Sequence, residues 1–143
     1  MDKLNCILLV DDNDATNVFN EYIINELGVC DTIRNVHNGL EALNYIKGEE
    51  DYCNRQKHPL PELIFLDINM PKMGGFEFIE EYQKLPEVQK TAIVIFLTTS
   101  CLKEDEIKAK SFPKVMGLET KPLSEEQLEQ IMISYTKKWK LSA

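Results

Sequence analysis

A chain of 143 residues, 43% of them hydrophobic, is long enough for one ordinary domain with a buried core and leaves little room for a second. Its 24 acidic against 16 basic side chains give a formal net charge of −8, which argues against nucleic-acid binding and favours a cation site or a basic partner surface. No run approaches the roughly 18 consecutive apolar residues of a membrane span, and the short apolar stretch near the N-terminus is not a signal-peptide core, so a cytoplasmic protein bound to neither nucleic acid nor membrane is expected.

Cys6-Ile7-Leu8-Leu9-Val10 is an unbroken apolar run, as expected of a strand buried on both faces. Val18, Phe19, Tyr22, Ile23 and Leu27 follow at helical spacing and predict the packed face of a first helix, capped by Asp14 and stopped by Gly28. Thr32 to His37 reads as a weaker strand near a sheet edge. Asn38, with Glu41 three residues on, opens a second helix whose buried stripe is Leu40, Leu43 and Ile46 and whose end is Gly48. Polar residues and two prolines make Glu49 to Pro61 a loop.

Leu63 to Leu66 is a third buried strand ending on Asp67. A helix from about Gly75 to Leu85 packs through Phe76, Phe78, Ile79 and Tyr82. Ala92 to Leu97 is a fourth strand running into Thr98-Thr99-Ser100, and Lys103 to Lys110 is a short, mostly solvated helix. Val115 to Glu119 is a fifth strand before Lys121-Pro122. Ser124 and Gln127 form a capping box, after which Leu128, Ile131, Met132, Tyr135 and Trp139 continue at helical spacing as core. Five βα units imply an α/β fold, a parallel sheet covered by helices on both faces. The last helix runs almost to Ala143, so a single domain without an output domain is expected over 1–143.

Cys6, Cys30, Cys53 and Cys101 are scattered without a CxxC, which argues against a disulfide framework or zinc. Cys6 and Cys101 lie in or beside apolar runs and read as small hydrophobes. His37 and His58 stand singly and read as surface or loop residues.

The chemistry lies at the strand ends. Parallel sheets bind ligands at their carboxyl edge, and there the chain delivers Asp11-Asp12, Asp67, Thr98 and Lys121 from four separate strands. Three carboxylates held together repel one another, and a hard divalent cation such as Mg²⁺ relieves that repulsion. A cation beside Asp67 also neutralises an incoming phosphoryl group, while Lys121 and the Thr98 hydroxyl hold its remaining oxygens. An aspartate nucleophile that forms an acyl phosphate is established chemistry for carboxylates. Asp11 to Asp14 does not fit a calcium-binding EF-hand, because no frame supplies both its glycine and its final glutamate.

Asp11-Asp12, the segment Leu66-Asp67-Ile68-Asn69-Met70-Pro71, Gly75, Thr98 and Lys121-Pro122, in that order and spacing, resemble the CheY-like receiver domain of bacterial two-component response regulators. The resemblance spans about Asn5 to Trp139 and implies a doubly wound, flavodoxin-like sheet of strand order 2-1-3-4-5. It implies Asp67 as phosphoacceptor and Mg²⁺ held by Asp12 directly, by Asp11 through water, by Asp67 and by the Asn69 carbonyl. Thr98 matches the switch hydroxyl, and Lys121 the lysine that pairs with the phosphoryl group ahead of a cis bond to Pro122. The implied partners are a sensor histidine kinase or phosphotransfer protein and a downstream protein target, with a homodimer through the fourth-helix, fifth-strand and fifth-helix face. No enzymatic turnover is expected beyond self-phosphorylation and slow autodephosphorylation.

Three positions depart from the family pattern. Gly74 replaces a common acid and with Gly75 predicts a looser turn after the acceptor, Leu118 stands where a switch aromatic is common, and Thr99 takes a small-residue position. Two other functions compete with the phosphoswitch. A phosphate-independent binding module is disfavoured by the complete acceptor set, and a phosphohydrolase by Asn69 where that class commonly has a second acid.

Overall fold

The first apolar run forms strand β1 (Leu4–Val10), which sends Leu8 and Val10 to one face of the sheet and Ile7 and Leu9 to the other. That two-sided burial makes the strand a run rather than an alternation. The computed structural model describes residues 3–140. The same logic builds β3 (Leu63–Asp67) and β4 (Ile93–Thr98), while the partly buried edge strands β2 (Cys30–Val36) and β5 (Val115–Thr120) complete a parallel sheet in the order β2-β1-β3-β4-β5. This is the expected doubly wound order.

The connecting helices are α1 (Asp14–Leu27), α2 (Gly39–Lys47), α3 (Gly75–Gln83), α4 (Lys103–Lys110) and α5 (Glu125–Ser134), the last running into a π turn at Tyr135–Lys140. One core layer joins Leu8, Val10, Leu66 and Phe96 of the sheet to Ala42 and Ile46 of α2 and Phe78 and Tyr82 of α3. The opposite layer joins Ile7, Leu9, Phe65 and Ile95 to Ile24 of α1 and Leu128, Ile131 and Met132 of α5. Among the described residues, no helix is long and apolar enough to cross a membrane.

The helix ends follow the sequence closely. Asn38 accepts from the Glu41 N–H at 2.9 Å, and Ser124 from the Gln127 N–H at 3.1 Å. Gly28 and Gly48 close α1 and α2 in the left-handed conformation at φ 68° and 71°. The cap of α1 is Asn13, whose side chain accepts from the Thr16 N–H at 3.1 Å, whereas Asp14 is the first helical residue. Lys103 to Lys110 is solvated as expected, with Ala109 its buried residue.

The packed face of α1 differs from the apolar spacing. The buried residues are Asn17, Asn20 and Ile24, with Ile23 and Leu27 half-buried beside them, while Val18, Phe19 and Tyr22 are 67%, 43% and 59% exposed. The helix is turned so that two asparagines face the carboxyl edge of the sheet. Leu40 of α2 is also exposed, and Ala42 and Tyr45 complete the stripe instead. Cys30 is buried with Cys6, whereas Cys101 is exposed, against expectation.

The segment between α2 and β3 has a built interior. A short 3-10 turn at Glu50–Tyr52 is followed by Arg55, which donates from Nη1 to Tyr45 O at 2.8 Å and from Nη2 to Ile46 O at 2.6 Å. These carbonyls lie in the last turn of α2, where the Gly48 N–H also donates to Tyr45 O at 3.2 Å. The Tyr45, Tyr52 and His58 rings pack together with centroids 5.2 to 5.6 Å apart.

Candidate functional site

Strand register brings the chemical groups level. Val10 lies opposite Leu66, Asp67 opposite Leu97, and Thr98 opposite Thr120, so Asp11, Asp67, Thr98 and Lys121 share one edge. Carboxylate oxygens of Asp11, Asp12 and Asp67 lie within 4.8 Å of one another. Asp11 is buried, Asp67 is half-buried and Asp12 is exposed, so the group opens to solvent on the Asp12 side.

Lys121 answers the acids. Its Nζ sits 2.5 Å from Asp11 Oδ2 and 3.5 Å from Asp67 Oδ2. The bond to Pro122 is cis, as expected, and the Lys121 N–H donates to Thr98 O at 2.7 Å. Asp11 Oδ1 accepts from the Asn13 N–H and Asp67 Oδ1 from the Ile68 N–H, both at 2.9 Å. Burial pushes the Asp67 carboxyl above its ordinary value, and Asp11 adds to this. The Lys121 ammonium and the Ile68 N–H pull the other way without cancelling it.

Thr98 is buried at the end of β4 but directs its hydroxyl to its own loop, donating to Ser100 O at 3.1 Å. Asn69 is exposed on the loop two residues past Asp67. Leu118 is buried in the α2–α3 core layer, filling an aromatic's place with an aliphatic side chain. Gly74 does not loosen the turn. Its N–H donates to the Glu77 carboxylate at 3.2 Å, and a Cβ there would meet Ile68 O at 2.9 Å. Gly75 is tighter, since a Cβ would lie 2.4 Å from Asp67 O.

Two contributors were not visible from sequence. Asn17 and Asn20 are buried, and Asn17 Nδ2 donates to Asp11 O at 3.0 Å, bracing the backbone of the innermost acid. An i, i+3 pair of asparagines on an otherwise half-apolar helix is the signal that could have shown them. The donor set, three convergent carboxylates with neither sulfur nor imidazole among them, fits a hard oxygen-seeking divalent cation.

The family model of the response regulator receiver domain matches residues 7–133. The response regulator Rcp1 of Synechocystis sp. is 31% identical over 101 residues, 71% of this chain and 66% of Rcp1. A Mn(2+)-bound structure of Rcp1 superposes with a TM-score of 0.69 at 26% identity, covering 94% of each chain. A two-component response regulator from Cytophaga hutchinsonii superposes at TM-score 0.81 and 29% identity, over 95% of this chain and 99% of that one. The phosphorylated cyanobacterial phytochrome response regulator RcpA gives 0.73 and 29%, over 97% and 96%. The acidic edge of the sheet and the match over residues 7–133 place this chain in the response regulator receiver domain family of two-component signalling.

Proposed function

We propose that Asp67 accepts a phosphoryl group from a phosphohistidine on a sensor histidine kinase or phosphotransfer protein, and that the product changes which proteins the domain binds. The convergence of Asp67 with Asp11, Asp12 and Lys121 carries this reading. Asp11, Asp12, Asp67 and the Asn69 carbonyl would hold Mg²⁺, which when bound supplies neutralisation of charge on the transferring group. A carboxylate oxygen of Asp67 attacks phosphorus, the N–P bond breaks, and the donor imidazole leaves and regains a proton. Lys121, already within 3.5 Å of Asp67, is placed to pair with a phosphoryl oxygen. Thr98 would exchange its bond to Ser100 O for one to that group.

The surface of α1 supports a docked donor. Phe19 lines an open cleft of about 390 Å³ with Asn13, Thr16, Asn20, Lys121 and Pro122, and Val18 and Tyr22 are exposed on the same helix. An apolar rim next to the acceptor suits a partner helix that presents a phosphohistidine. On the opposite flank, exposed Leu102 and Ile107 at α4 suit the downstream target or a second copy of the domain.

Intact mass after treatment with acetyl phosphate, with and without Mg²⁺, tests the acceptor. A phosphoryl adduct that requires Mg²⁺ and vanishes in Asp67→Asn is expected. A folded, Mg²⁺-supplied wild type with no adduct would favour a binding module without a phosphoswitch.

A further inference from the structure

We infer that Gly39, the first residue of α2, is a positioning residue for the divalent-cation site, acting through the β3–α3 loop that carries Asn69. This inference rests on the proposed reading of that loop as part of the metal site. The loop leaves Asp67 and returns to α3 at Gly75, whose N–H donates to Ile68 O at 2.8 Å. Within it Lys72 adopts φ 67°, a left-handed conformation unfavourable for a side chain of that kind. A segment held in such a conformation needs contacts from outside itself.

The outside contact comes from α2. The Gly39 N–H, which as the first helical amide has no partner within its own helix, donates to Met73 O at 2.7 Å. The approach tolerates no side chain on Gly39. A Cβ there would lie 2.7 Å from Met73 O, 2.8 Å from Met73 Cγ and 3.0 Å from Gly74 O. Met73 Cγ can swing aside, but the two carbonyls are backbone, so accommodation requires one of the two segments to move.

α2 is the segment that cannot. Ala42, Tyr45 and Ile46 anchor it in the core at no more than 1% exposure, and Asn38 caps it by accepting from the Glu41 N–H. The loop, half-exposed and already strained at Lys72, is what yields. The displaced residues lie four and five positions beyond Asn69, between it and the Gly75 hinge against Asp67 O. A shift there changes where the Asn69 carbonyl stands relative to the carboxylates without replacing any of them.

The test is Mn²⁺ or Mg²⁺ binding by titration calorimetry on wild type, Gly39→Ala and Gly28→Ala, with thermal unfolding of each in metal-free buffer. Gly28→Ala is the stability control, since it strains a residue at φ 68° with nothing within 4 Å of the new methyl and lies far from the loop in sequence. Gly39→Ala should bind metal on the order of 10- to 100-fold more weakly, as supporting residues of metal sites do. Gly28→Ala should lose thermal stability while binding metal as wild type does. A folded Gly39→Ala with wild-type affinity overturns the inference alone. A wild type that binds neither metal overturns it together with the proposed site. If Gly39→Ala fails to fold, the wild-type protein decides through its amide resonances during the metal titration. A Gly39 amide that shifts while Gly28 stays still supports the inference, and a silent Gly39 amide overturns it.

Discussion

Removing the Lys121 ammonium tests how the acidic edge survives without a metal. Lys121→Met keeps the stem of the side chain and deletes the charge that lies 2.5 Å from Asp11 and 3.5 Å from Asp67. At an effective dielectric of about 20, those distances correspond to about 7 and about 5 kcal/mol of attraction before desolvation. The three side chains are only 6% to 14% exposed, so water offsets little of the loss. Burying the ammonium itself costs several kcal/mol, so the net effect is smaller. Breaking a buried pair while leaving its partner typically costs about 3 to 5 kcal/mol. We therefore expect urea unfolding of metal-free Lys121→Met at neutral pH to show a stability about 3 to 5 kcal/mol below wild type. Saturating Mg²⁺ should recover part of this, because a cation bound by the folded state alone adds about 2.7 kcal/mol at a hundredfold excess over its dissociation constant. A variant within about 0.5 kcal/mol of wild type, the range of ordinary surface changes, would refute the idea that Lys121 is the internal counter-ion of the acidic edge in metal-free buffer.

Asp67→Asn should stabilise the metal-free protein at neutral pH. Burial raises the folded pKa of Asp67 above its ordinary value, so the folded state keeps that proton longer than the unfolded chain. Stability then falls as pH rises from the ordinary carboxylate range through the folded value, and the asparagine variant should lack that fall in pH-dependent thermal unfolding. Phe19→Ala and Tyr22→Ala remove exposed rings on α1 and should change stability by no more than about 0.5 kcal/mol. They should slow phosphotransfer from a phosphohistidine protein and leave acetyl phosphate labelling unchanged. Arg55→Ala removes the side-chain donors to the Tyr45 and Ile46 carbonyls, of which Tyr45 O keeps the Gly48 N–H, and should cost about 1 to 3 kcal/mol. Limited proteolysis should then cut within residues 49–61 while the mass of the phosphorylated product is unaffected.

Element type and order were legible in the sequence because each signal is local. The five short strand segments, the Asn38 and Ser124 caps and the Gly28 and Gly48 stops all depend on residues within a few positions of one another. The acidic edge was legible too, since a polar residue directly after a buried strand has one edge to occupy, and Asp11, Asp12, Asp67 and Lys121 are brought together as their spacing implied. What the tertiary structure alone decided is which way each local piece faces. Val18, Phe19 and Tyr22 lie outside the core while Asn17 and Asn20 are buried, because the inward face of α1 is the one that packs Ile24, Ile23 and Leu27 and brings Asn17 to the Asp11 carbonyl. Gly74 and Gly75, read as a source of looseness, proved to be places where two backbones touch. The same holds for Gly39, whose meaning lies in Met73 and Gly74, more than thirty residues away along the chain. Periodicity records how much of a helix is apolar, but the direction of its buried face depends on contacts that exist only after the sheet has closed.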